Sequence, residues 1–133
     1  MSDEDYVSFE VARLLQDKGY RESCNAIYDD ISTNNEFVLH RFCNMWEFDL
    51  SSFVRKGIQY TYLAPTLYDA QKWLREKHKI AVTTFPENYK WECTVLDLEV
   101  CKDSLHPLLH YSNNYDTYQQ ALDAGIMEAI KMI

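Results

Sequence analysis

The sequence predicts an α+β domain: a mainly antiparallel sheet of four to five strands with three helices, in the order α-β-β-(β)-α-β-β-α. Three observations predict it. Apolar positions repeat at helical spacing in three separate stretches of the 133 residues. Between those stretches lie short runs of alternating or β-rich sequence. Those runs are joined by turn chemistry rather than by connections of crossover length, which makes hairpins and therefore antiparallel pairing, with the helices packed on one face.

Residues 1–6 read as an acidic tail and 7–133 as a single α+β domain. The first helix covers Ser8 to Lys18. Val7, Val11, Leu14 and Leu15 fall along its inner side, Ser8 caps its start, and Gly19 stands where a left-handed residue ends a helix. Cys24 to Asp29 and Glu36 to Phe42 read as strands around the turn-forming residues 30–35, Asp-Ile-Ser-Thr-Asn-Asn. In residues 43–64, Ser51, Ser52 and Gly57 break any period, and Ile58 to Leu63 is a candidate third strand. Pro65 and Thr66 open a second helix running to His78. Leu67, Ala70 and Leu74 form its inner stripe with Trp73 at the edge, and Lys72, Arg75 and Glu76 face away. Ile80 to Phe85 and Trp91 to Val100 are strands joined by Pro86-Glu-Asn-Tyr89. In the second of them the alternation shifts after Val95, which predicts a bulge or a strand buried on both faces. Residues 101–115 read as a loop that covers the core. The last helix follows Thr117, with Gln120 in capping-box position. Its apolar stripe runs through Tyr118, Ala121, Leu122, Gly125, Ile126, Ala129, Ile130 and Ile133. A glycine inside a helix costs about 1 kcal/mol of propensity, so Gly125 predicts a close approach of helix to sheet.

The formal net charge is −8. Residues 1–50 carry 4 basic and 11 acidic groups, whereas residues 51–100 carry 7 basic and 6 acidic. A chain of this sign is repelled by phosphate backbones and anionic lipid, which disfavours nucleic-acid and membrane partners in general but leaves room for a local basic face. The start, Met-Ser-Asp-Glu-Asp, is unlike a signal peptide, and no apolar run has the length of a membrane span. Cys24, Cys43, Cys93 and Cys101 form no C-x-x-C pair. Together these features predict a cytoplasmic protein without disulfides.

Three segments carry a resemblance. They are Val7 to Tyr20 with the following Cys24, Tyr62 to His78, and Tyr118 to Ile126. Together they resemble a family of small proteins, with no assigned activity, from Bacteroidetes bacteria and their phages. The likeness covers most of the chain in order, is most specific in the middle segment, and leaves out residues 43–57 and 101–115. It implies a phage, prophage or mobile-element context. It implies no chemistry and carries over no functional residue.

Chemistry-bearing patterns are few. Cys101, His106 and His110 are spaced as C-x4-H-x3-H, with Cys93 as a fourth N/S donor for zinc. Pro107 disfavours the helix that would align the two histidines, so a covering loop with solvated histidines is the preferred reading and no metal or cofactor is expected. His40 and Cys43 point to opposite faces of a strand and are weaker. Cys24 follows a helix C-terminus, the wrong electrostatic end for a thiolate, and burial in an apolar strand would raise the pKa of Cys93. With three Gly in all and no G-x-S-x-G, neither a phosphate loop nor a nucleophile elbow is present. Asp97 and Glu99 share one strand face, which reads as a wet face. The sequence therefore points away from an enzyme.

Two surface readings remain. Lys72, Arg75, Lys77 and Lys79, with Arg55 and Lys56 upstream, make a basic face, and Trp73, Tyr89 and Trp91 offer rings for stacking. Asp69 and Glu76 on the same helix argue for an ordinary solvated face. The other reading is an interaction surface for another protein, combining the acidic first third with aromatic anchors. Ten Tyr, six Phe and three Trp, together with the mobile-element context that the resemblance implies, make that reading the preferred one, with a host or phage protein as the partner. Its candidate residues are Trp46, Lys72, Trp73, Arg75 and Tyr89. The runner-up is a small-ligand or nucleotide binder using a Tyr-rich sheet face and the helix at 72–79, followed by a nucleic-acid-associated protein. Both a monomer and a homodimer fit the sequence.

Overall fold

The structure, a computed structural model, describes residues 3–22, 24–29, 38–41, 61–99 and 109–133. The fold is α+β, with all strand pairing antiparallel among the described residues. It divides into two compact units, Met1–Thr66 and Leu67–Ile133.

In the first unit a 3-10 turn (Asp3–Asp5) leads into helix α1 (Phe9–Asp17). The Ser8 hydroxyl accepts from Val11 N, as a cap should. At the other end Gly19 has φ +93°, Gly19 N donates to Gln16 O and Tyr20 N donates to Leu15 O. That pair of bonds is the Schellman arrangement, which satisfies the last carbonyls of a helix. Val11, Ala12 and Leu15 face inward. Strands β1 (Ala26–Asp29), β2 (Val38–Arg41) and β3 (Thr61–Leu63) form a sheet in the order β2-β1-β3. Tyr28 and Tyr62 are direct cross-strand partners, and Phe9 meets both rings edge-on at 5.7 and 5.5 Å. The Tyr28 hydroxyl donates to Val7 O at 2.7 Å. A ring that packs and a hydroxyl that ties down the chain entering α1 is the usual division of labour in a half-buried tyrosine.

The second unit holds α2 (Leu67–His78), β4 (Ile80–Glu87), β5 (Lys90–Asp97), β6 (Leu109–Tyr115) and α3 (Tyr118–Ile130), with sheet order β4-β5-β6. The strands thus form two three-stranded sheets, and the segment expected to be a loop at 101–115 supplies β6 at its C-terminal end. The side chains of Cys93 and Val82 meet Gly125, so α3 lies on the face they share. The Thr117 hydroxyl caps α3, accepting from Gln120 N at 3.1 Å. Ala121, Leu122, Gly125, Ile126, Ala129 and Ile130 are buried as the stripe predicts, whereas Tyr118 and Ile133, expected in that stripe, are exposed. Tyr118 is the first residue of α3, and Ile133 lies three residues past its last.

The β4–β5 register runs unbroken from Ile80↔Asp97 to Glu87↔Lys90. The predicted shift after Val95 is therefore absent from this pairing. The irregularity lies instead between β5 and β6, at Trp91/Cys93. The alternative, a strand buried on both faces, is what β5 shows: Glu92, Cys93, Thr94 and Val95 are all buried. Leu98 N donates to Lys79 O at 2.7 Å. Continuing that phase, Ala81, Thr83, Phe85 and Glu87 exchange bonds with β5, while Val82, Thr84 and Pro86 aim their backbone groups outward. Proline has no N–H to lose at such a position, which explains how Pro86 sits inside β4. Gln71 Nε2 donates to the outward Val82 carbonyl at 2.6 Å.

Candidate protein-interaction surface

The closing pair Glu87↔Lys90 leaves a loop of two residues, Asn88 and Tyr89, with φ +50° and +66°. Two positive φ values define a type I′ turn, whose twist matches that of the strands. Asn at the first position is ordinary chemistry for it. At the second position glycine is favoured, because an L side chain there crowds the following carbonyl. Tyr89 occupies that position with its side chain fully exposed, so it gains no packing in return.

Beside the tip stand further rings. Trp91 meets Tyr118 edge-on, centroids 5.3 Å apart and planes at 90°. Tyr118, at the first turn of α3, is 41% exposed. Tyr115 is the direct cross-strand partner of Trp91 and is half-buried. Lys90 Nζ pairs with Asp116 Oδ1 at the rim. Trp91, Tyr115 and Tyr118 are thus an aromatic group two residues along the chain from the projecting Tyr89, with the Lys90–Asp116 pair beside it; aromatic anchors bordered by polar groups are the usual make-up of an interface.

The predicted site residues fall in different places. Tyr89 is at the tip just described. Lys72 and Arg75 are exposed on α2. Trp73 is 7% exposed, its ring 4.6 Å from that of His78, so it is part of the buried side of α2 and not of a surface. On the helix it stands at the edge of the inner stripe, about 100° from Leu74, and the packing of the fold covers it. Trp46, Cys101 and His106 lie outside the described residues, as do Cys43, Arg55 and Lys56. His110 lies on β6 opposite Thr94. No group of three or more His, Cys, Asp or Glu that would hold a metal ion occurs among the described residues. Cys24 and Cys93 are buried and outside any disulfide, and the Cys24 thiol donates to Ala26 O. Desolvation, then the charges of Glu128 and Glu92, pushes the Cys93 thiol up to about 11, so at neutral pH the thiol keeps its proton and is not an activated nucleophile. In the acidic first third, Asp3 pairs with Arg41 at 3.0 Å and Glu10 with Arg13 at 2.7 Å.

Sequence reading missed the ring pair Trp91–Tyr118 and the exposure of Tyr68. The second was visible: on a helical wheel Tyr68 stands with Lys72 and Arg75, opposite Leu67, Ala70 and Leu74. The first was not, because it joins a strand to the start of a helix that no local period relates. No described helix is long and apolar enough to cross a membrane. No family model, curated protein or solved structure matches the chain.

Proposed function

We propose that the protein is a non-enzymatic binding protein that docks another protein, of host or phage origin, through the tip of the β4–β5 hairpin. Tyr89 is the observation that carries this reading. A bulky residue with φ +66° is a backbone outlier, and strain of this kind persists where the side chain is used. Inside the protein Tyr89 has no such use, since its ring is fully exposed. A partner supplies one. Tyrosine gives a large contact at low entropic cost, and Trp91 and Tyr118 extend the apolar area behind it.

The test separates the two roles of the residue. Tyr89→Gly relieves the left-handed backbone, so the folded protein should melt higher, by about 3 °C for each kcal/mol relieved. The same change should abolish binding. A photo-crosslinking amino acid at position 89, with a control at exposed Arg13, captures the partner in cells. The captured protein, purified, should bind wild type at least about tenfold more tightly than Tyr89→Gly, as loss of an interface anchor requires. Equal affinity for the two, or the same crosslinks from position 13, would sink the reading.

A further inference from the structure

The solvent side of α2 carries a second feature that the hairpin tip does not explain. Tyr68, Lys72 and Arg75 fall within an arc of about 60° on a helix of 3.6 residues per turn. Tyr68 is 63% exposed, and Lys72 and Arg75 are exposed as well. Lys79, one residue past the helix, continues the line: it has φ +57°, and its ammonium returns to Glu76 O at 3.3 Å, beside the helix end. Among the described residues none of these three cations pairs with a carboxylate, although Asp69 and Glu76 stand one turn from Lys72 on the same helix. The two acids occupy a neighbouring line, so the cations form an unbroken strip. The helix dipole accounts for basic residues in the last turn. It accounts neither for Lys72, a turn earlier, nor for an exposed ring at Tyr68.

We infer that this strip, Tyr68–Lys72–Arg75–Lys79, docks a short acidic segment of a partner protein. Charge complementarity names the class, and the shape of the strip selects among anions. From Tyr68 to Lys79 the strip is about 16 Å long at 1.5 Å per residue, the span of roughly five extended residues. A peptide carboxylate run of that length ends where the cations end. A nucleic-acid strand continues its charge every 3.4 Å, and a lipid surface spreads in two dimensions. Either would bring phosphates against Asp69 and Glu76 and against a chain of net charge −8. Arg75 offers a bidentate fork to a carboxylate, and Tyr68 offers a hydroxyl and a ring edge at the strip's start.

The inference is independent of the hairpin tip. Titration of the isotope-labelled protein with a hexaglutamate peptide at low salt, followed by heteronuclear NMR, tests it. Shifts should be confined to residues 68–79 and should disappear as salt is raised. The double variant Lys72→Glu/Arg75→Glu should bind at least roughly tenfold more weakly, by like-charge repulsion. Lys72→Gln/Arg75→Gln, which adds no repulsion, should lose most of the affinity with an unchanged melting temperature. Tyr89→Gly should titrate as wild type. Shifts scattered over all basic residues, or undiminished binding by the charge-reversed protein, would overturn the assignment. So would tighter binding of oligothymidylate or of phosphatidylserine vesicles at the same residues, which would make the partner a nucleic acid or a membrane.

Discussion

A Cβ at residue 125 would stand 2.7 Å from Val82 Cγ1 and 3.2 Å from Cys93 Cβ. Val82 is β-branched, buried and fixed by its strand, and the Cys93 Cβ is bound to the backbone, so neither neighbour yields freely. Gly125→Ala gains about 1 kcal/mol of helix propensity and meets an overpacking cost of roughly 1–3 kcal/mol. We expect a net loss in urea denaturation, with Val82→Ala partly relieving it in the double variant. Cys93 makes the neighbouring prediction. Its thiol, raised from 9.0 to about 11 by burial and by Glu128 and Glu92, keeps its proton longer in the folded state than in the unfolded one. Stability is therefore intact below pH 9 and falls as pH rises through about 11. Relative to wild type, Cys93→Ala should start less stable and lose less across that window in pH-dependent melting.

Strand β4 tests the pairing phase at the scale of the element. Its outward amides, Val82 and Thr84, should exchange with deuterium faster than Ala81, Thr83 and Phe85, whose N–H groups face β5. Amides of β5, bonded on both sides, should be slowest. Uniform protection along β4 would mean that the phase set by the Leu98–Lys79 bond is wrong. Helices α1 and α3 were legible because both carry their own signals: a hydroxyl cap, an apolar stripe and, for α1, Gly19 in the left-handed conformation. Strand β6 was not. His110-Tyr-Ser-Asn-Asn114 has no apolar alternation and two residues that strands disfavour. It is a strand because β5 presents an edge to it, and the bulge opposite Trp91 and Cys93 absorbs the poor fit.

For the whole molecule the charge of −8 sets a repulsive background. Against it any basic strip must recognise its partner at short range rather than steer it from afar. The two proposed surfaces are chemically different, one aromatic and strained, the other cationic and helical. Their variants should therefore separate cleanly, with loss at the tip leaving peptide binding on α2 intact and the reverse. Both surfaces lie within residues 67–133.

Sequence alone determined the fold class, the helices and a hairpin connection within residues 86–89, because periodicity, caps and turn chemistry are local and act wherever the chain goes; strand pairing through Glu87↔Lys90 narrowed that connection to residues 88–89. It also identified Gly125 as a contact point and Lys72, Arg75 and Tyr89 as surface residues. Tertiary structure decided the rest. It turned Trp73 inward, brought Tyr118 against Trp91, made a strand of residues 109–115 and fixed the positive φ at Tyr89. Each of those outcomes depends on a partner distant in the chain or on a register between strands, and no local pattern encodes which partner arrives.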